Sequence, residues 1–277
     1  MRTLDPPRTE RRCAALACTA LAALAACSDG HAADPTGPNA STRAAVVTFE
    51  QLTQALKAAR NEPNGGFNLD MWATVVDTQG LVVAVTFTGA HTGDQWYNAR
   101  VLSAQKANTA MGFSLPALAL STANLYAPAQ PGGTLFGVQE SNPVNHDVAY
   151  RGEYNDFGTA QDPMIGGRIG GVNVFGGGLA LYNSQGVLIG AVGVSGDASC
   201  ADHNISWKVR HRLKLDFVPA GVSPTKDDNI IYDIDPATGK SASGFGHPEC
   251  SPAATAISVD LPNTNPISKR STTVASH

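Results

Sequence analysis

Leu52, Ala55, Leu56 and Ala59 recur at helical spacing behind Thr48-Phe49-Glu50-Gln51. In that tetrad the Thr48 hydroxyl can cap an early helical N–H while Gln51 reaches back, so a short amphipathic helix is predicted over 49–60. Asn61-Glu62-Pro63-Asn64-Gly65-Gly66 stops it. Two β-branched runs follow, 72–76 and 81–87, separated by Asp77-Thr78-Gln79-Gly80, which predicts a hairpin. Residues 97–113 contain no proline and one late glycine, and are rich in Ala, Leu, Gln, Lys and Met; they read as the main helix. From 114 to 171 the periodicity disappears and Pro116, Pro128, Pro131, Pro143 and Pro163 interrupt the chain. A loop of that length is uncommon without a function. A second hairpin is predicted from 178–182 and 187–194 around Asn183-Ser184-Gln185-Gly186, then a helix from about Ala201 through Trp207 to Leu213. The tail beyond Phe217 is polar and rich in Pro and Gly, with one strand candidate at 230–232. Hairpins alternating with helices predict a single α+β domain over 44–216, an antiparallel sheet of two hairpins with helices packed on it. Residues 217–277 form a C-terminal extension.

The first residues read as an address. Arg2, Arg8, Arg11 and Arg12 precede a short apolar stretch from Cys13 to Ala26. That is a signal peptide over 1–26, too short for a stable spanning anchor. It ends Leu24-Ala25-Ala26-Cys27, which resembles the lipobox of bacterial lipoproteins, in which the cysteine is acylated and cleavage occurs before it. Three acyl chains would hold the mature protein on a membrane without spanning it. Ser28 at the second mature position favours the outer membrane by analogy. Cleavage after Ala23-Leu24-Ala25 would instead release an exported soluble protein. Residues 27–43, rich in Pro, Gly, Asn and Ala, read as a flexible tether. The expected location is therefore the cell envelope, on its periplasmic side.

Charge narrows the partners. The whole chain carries 15% charged residues and a formal charge of −4, and four of its 19 Lys and Arg leave with the signal. Nucleic-acid binding needs clustered cations, and none are clustered here. The cysteines narrow the chemistry. Cys13 and Cys18 lie in the signal and Cys27 is the lipid acceptor, which leaves Cys200 and Cys250 as a pair in an oxidising compartment. A disulfide between them would stabilise by roughly 4 kcal/mol on the chain-entropy model. The same region also reads Cys200-Ala-Asp-His203 and His247-Pro-Glu-Cys250, a mirrored two-Cys, two-His set suited to tetrahedral zinc. The two readings exclude each other.

Three segments together resemble the GlcG/HbpS-type haem-binding family. They are Gly89-Ala90 after a strand, Ser103-Ala104-Gln105-Lys106-Ala107-Asn108-Thr109-Ala110 in a helix, and Gly176-Gly177-Gly178-Leu179-Ala180-Leu181-Tyr182 followed by Gly186-Val187-Leu188-Ile189-Gly190-Ala191-Val192-Gly193-Val194-Ser195-Gly196. The resemblance covers roughly 49–213. It implies a profilin-like sheet-and-helix fold, assembly into a homo-oligomer, and binding of haem or a related tetrapyrrole. An insertion around 140–167, Cys200 and His203 in the last helix, and the extension depart from the family pattern.

Haem binding calls for an apolar slot and an axial donor such as His. His91 follows the Gly89-Ala90 turn, and His146 lies in the insertion beside Asp147, which could orient its ring. The resemblance adds Lys106 and Thr109 as ligand-binding candidates. The slot itself is expected between the Ala-rich helix and the two β-ribbons. Gly166-Gly167-Arg168-Ile169-Gly170-Gly171 lacks the G-x-G-x-x-G spacing and serves better as a tight crossing against the sheet. Gly193-Val194-Ser195-Gly196 is no nucleophile elbow, because Asp197 stands where the pattern requires Gly. No catalytic residue is assigned. The readings that remain are a non-catalytic haem binder, an enzyme acting on a small organic acid with 141–168 as lid, and an oligomeric assembly module.

Overall fold

The computed structural model describes residues 46–269. The signal peptide, Cys27 and the whole tether lie outside them. Four strands, β1 (Trp72–Asp77), β2 (Val82–Phe87), β3 (Gly178–Tyr182) and β4 (Leu188–Ser195), form one antiparallel sheet in the order β2-β1-β4-β3. Each hairpin pairs with itself, and β1 joins β4 in register from Trp72 opposite Ser195 to Asp77 opposite Gly190. The α+β class and both hairpins therefore hold, with β4 one residue later than its periodicity suggests.

Period-2 alternation gives the sheet two buried faces. On one, Ala73, Val75, Leu179, Leu181, Val192 and Val194 pack against α1 (Phe49–Arg60) and α5 (Ser199–Arg212). On the other, Trp72, Val76, Val85 and Ala191 meet Ala104, Ala107 and Ala110 of α2 (Ala99–Phe113). The α1 cap forms as its sequence dictates: Thr48 Oγ1 accepts from Gln51 N at 3.2 Å, and Gln51 Oε1 accepts from Thr48 N at 3.0 Å.

α2 lies against the strands with no slot between them. A Cβ placed on Gly193 would collide with the Ser103 carbonyl and the Ala107 nitrogen, and one on Gly178 with the Lys106 carbonyl. Only glycine lets helix backbone and strand backbone approach so closely. Thr74 Oγ1 and Ser103 Oγ hydrogen-bond at 2.8 Å across the same contact. The slit expected between the Ala-rich helix and the ribbons is thus filled, because small side chains on the helix and glycines on the strands close the distance instead of opening it.

The segment from 114 to 171 is folded, not loose. It contains two single-turn helices, α3 (Tyr126–Ala129) and α4 (His146–Ala149), and is fastened to α2 by a buried bidentate pair. Arg100 Nε and Nη2 reach Asp162 at 2.8 and 2.5 Å, Nη1 donates to Ala149 O at 2.9 Å, and the guanidinium lies 3.8 Å from the centre of the Phe157 ring. The Gly-rich run does make the crossing its composition suggested: Gly166 N donates to Val82 O and Val82 N to Gly167 O, both at 2.9 Å, on the free side of β2.

The extension belongs to the same compact unit as the sheet. The proposed strand at 230–232 does not form. Ile230 and Ile231 are buried as irregular chain, and the regular element of the extension is α6 (Pro252–Thr264), docked on α5. Ser251 Oγ accepts from Ala254 N at 3.0 Å as its N-cap, and Pro252 occupies the first helical position, where its missing N–H costs nothing. The extension is clamped by the Cys200–Cys250 disulfide and by Arg210, whose Nη1 and Nη2 reach the buried Asp228 at 2.6 and 2.7 Å. Among the described residues no helix is long and apolar enough to cross a membrane.

Candidate functional site

The polar residues that the sequence singled out divide between the interior and the surface. Lys106 and Thr109, on the sheet-facing side of α2, are buried. Lys106 Nζ donates to Asp202 Oδ2 at 2.7 Å and to Val194 O and Ser195 Oγ at 3.2 Å. Asp202 Oδ1 accepts from Asp197 N at 2.9 Å, so this group ties α2, β4 and α5 together. Burial pushes the Asp202 carboxyl up to about 6, against the pull of the Lys106 ammonium. Thr109 Oγ1 donates to Gln105 O and accepts from Asn173 N, at 2.8 and 2.9 Å. Every polar atom of the pair is engaged inside the protein, so the geometry assigns Lys106 and Thr109 to packing, not to a ligand surface.

His91 lies on the surface. It opens the turn spanning 91–98, whose backbone is held by Asp94 Oδ2, which accepts from His91 N at 2.7 Å, and by Gln95 Nε2, which donates to His91 O and Thr92 O at 2.8 and 2.7 Å. Trp72 Nε1 donates to Trp96 O at 3.1 Å and pins the far side of the turn to the sheet. On this fixed scaffold Trp96 is 59% exposed and Tyr97 48%. Tyr154, from the insertion, stacks on Tyr97 with ring centres 6.2 Å apart and planes inclined by 23°. Its hydroxyl lies 3.7 Å from where a Cβ of Gly93 would stand, so the turn and the insertion meet. The turn thus carries an exposed histidine and exposed aromatic side chains, the types of donor and apolar contact that a macrocycle requires. Tyr154 was not singled out by sequence; its only signal was its place in the insertion. His146 is also exposed, on α4, with its ring 6.2 Å from that of Tyr150.

Cys200 and Cys250 are disulfide-bonded. The four-ligand zinc arrangement does not form, since His203 points elsewhere: its Nε2 faces Asn229 Oδ1 at 3.1 Å and accepts from Ile230 N at 3.2 Å. Burial pulls His203 down to about 3 and His247 to about 4, so both rings are neutral near pH 7. His247 stays beside the bridge. Its Nε2 meets Ser199 Oγ at 2.8 Å, its Nδ1 meets Pro248 O at 2.7 Å, and the Tyr126 ring lies 5.1 Å away.

Two open clefts lie on the α1–α5 side of the sheet. The larger, about 690 Å³, is bounded by Val47, Gln51, Ala55 and Leu215; the smaller, about 210 Å³, by Asn64, Leu69, Asp197 and Ile205. Beneath the insertion Arg100, Asp162, Phe157 and Met164 are buried, which ties the end of the segment 141–168 to α2.

An antiparallel sheet enclosed by helices on both faces defines an α+β domain. The family model described as "Haem degrading protein HbpS-like" matches residues 47–209, more than half of the chain, and the chain belongs to that family. Its structural similarities include the PduOC:haem complex (23% identity over 59% of this chain and 89% of that one, TM-score 0.41). They also include the Klebsiella pneumoniae protein ORFY (22% identity, 63% and 95%, TM-score 0.41). HbpS is a third (16% identity, 61% and 90%, TM-score 0.37). No curated protein matches the chain.

Proposed function

We propose that the protein binds haem or a related tetrapyrrole on the turn spanning 91–98, with His91 as axial donor and Trp96, Tyr97 and Tyr154 as the apolar surround. The observation that carries this reading is a turn whose backbone is fixed by Asp94 and Gln95, which bears the exposed His91 and a Tyr97 ring stacked on Tyr154, in a chain of the HbpS-like family. Imidazole nitrogen is the commonest axial donor to haem iron, and the bound group would supply the redox-active metal. The protein's own part is to hold the ring orientation and shield one face from water. Membership of the family supports the ligand class; the residues of this turn support the place.

The role we assign is scavenging, buffering or sensing in the cell envelope, by a homo-oligomer anchored through acylated Cys27. The lipobox-like sequence before Cys27 supports the anchor. Cys27→Ser should abolish fatty-acid labelling and move the protein from the membrane fraction to the soluble one; retention of the label would defeat the anchor.

Haemin titration of the mature, reconstituted protein tests the site. A shifted Soret band at one haemin per chain is expected, weakened about tenfold or more in His91→Ala and unchanged in His146→Ala. A wild-type spectrum identical to that of free haemin refutes binding. Equal affinity in His91→Ala refutes the site. Loss of the Soret band on adding a reductant in air would mark degradation beyond binding. Light scattering with and without haemin tells whether a second copy takes up the aromatic patch.

A further inference from the structure

The extension brings His247 and Cys250 to Cys200 on α5, three groups whose chemistry is not used by the tetrapyrrole reading. The metal-ligating atoms of Cys200, His247 and Cys250 all lie within 4.8 Å of one another. Ligand atoms around a tetrahedral zinc, bonded at 2.3 Å to sulfur and 2.0–2.1 Å to nitrogen, stand about 3.3–3.8 Å apart. The three groups are therefore within a small side-chain adjustment of a Cys₂His metal site once the sulfur–sulfur bond is opened. We propose that the Cys200–Cys250 disulfide is the oxidised form of a redox-gated site for a thiophilic divalent cation, held by both thiolates and the His247 imidazole, with a fourth position open to solvent.

Three features of the structure support this assignment. The ligands stay together without the bridge, because the segment carrying His247 and Cys250 has independent anchors. His247 N donates to Ile231 O at 2.8 Å, and Ser251 Oγ donates to Gly65 O at 2.8 Å. Cys250 Sγ accepts from Cys200 N at 3.1 Å in the first turn of α5, where a helix N-terminus favours a thiolate. Whichever ring nitrogen of His247 takes the metal, the other keeps a hydrogen-bond partner, Ser199 Oγ or Pro248 O, as ligating imidazoles require. Access comes from Cys250, which is exposed, whereas Cys200 is buried against Ala123, Ile230 and Ala254.

The gate is thiol–disulfide exchange. A dithiol reductant attacks the exposed Cys250 Sγ, and Cys200 Sγ leaves as a thiolate. The reductant's second thiol then displaces Cys250 from the mixed disulfide. The reductant ends as a cyclic disulfide, oxidised by two electrons, and the two cysteines gain those electrons and two protons. Metal binding releases both protons to solvent.

The experiment uses the folded mature protein reduced with dithiothreitol, desalted without oxygen and titrated with Co²⁺. The expected result is one Co²⁺ per reduced chain with thiolate-to-cobalt charge-transfer absorption, and none in the oxidised chain. His247→Ala should weaken binding about tenfold or more, and Cys250→Ser should remove most of the charge-transfer intensity. Equal uptake by the oxidised and reduced forms, or undiminished binding in His247→Ala, overturns the proposal. Should reduction unfold the chain, Co²⁺ must restore the circular dichroism of the oxidised protein; failure to do so overturns it as well. The readout involves neither haemin nor His91, so the two proposals stand or fall separately.

Discussion

Lys106 shows how one residue can be prominent in a sequence for reasons unrelated to ligand contact. It lies in the helical segment that carries the family resemblance, yet its ammonium ends inside the protein on Asp202, with Val194 O and Ser195 Oγ completing its shell. Removing one partner of a buried pair leaves the other charge uncompensated, which typically costs about 3–5 kcal/mol. Lys106→Met should therefore lower the unfolding free energy obtained from urea titration by an amount in that range, while the folded fraction binds haemin as well as wild type. A selective loss of haemin affinity at unchanged stability would return Lys106 to the ligand. Nothing in the local sequence separates the two roles, because the partner that decides between them lies 96 residues away.

At the scale of elements, legibility followed local chemistry. The α1 capping box, the β-branched hairpins and the Ala-rich α2 were all readable, since each is specified by neighbours within a few residues. The Ser251-Pro252 start of α6 was equally local, but Pro262 within the helix and the surrounding Pro and Gly hid it. α5 was placed correctly although its face pattern is unhelpful: Asp202, His203, Asn204, Ser206, Lys208 and Arg210 are all buried. The sheet, α1 and the extension cover it on every side, and its polar groups find partners in segments the helix itself does not predict. Proline punctuation makes 114–171 look like a loop in sequence. The segment's order comes from the long-range Arg100–Asp162 pair, which no spacing rule reveals. In the turn proposed to bind haem, His91 is legible from its place after Gly89-Ala90, while Tyr154 meets that turn only through the folded insertion.

For the whole molecule, buried imidazoles set the response to acid. His203 and His247 fall from an ordinary 6.5 to about 3 and about 4, so below pH 6.5 the unfolded chain takes up protons that the folded chain refuses. Their stabilisation is complete above that pH and is lost as pH falls toward the folded values. Asp202, raised from 3.8 to about 6, acts in the opposite sense over that interval, and two imidazoles outweigh one carboxylate. Stability should therefore drop by about 1.4 kcal/mol per pH unit near pH 5, one net proton's worth. Urea midpoints measured from pH 7 to 4.5 should show this slope, and His203→Gln should flatten it; a flat wild-type profile would refute the burial argument.

The outer strands carry one last implication. β2 is already bonded to the glycine crossing at Val82, and β3 to the segment just before the extension, where Tyr182 N donates to Leu215 O at 2.9 Å. Neither rim offers a second molecule an uninterrupted row of backbone donors and acceptors, the usual template for sheet extension between chains. Side-chain surfaces, rather than backbone pairing along these rims, are therefore where point substitutions should alter any contact between copies while the backbone stays as it is.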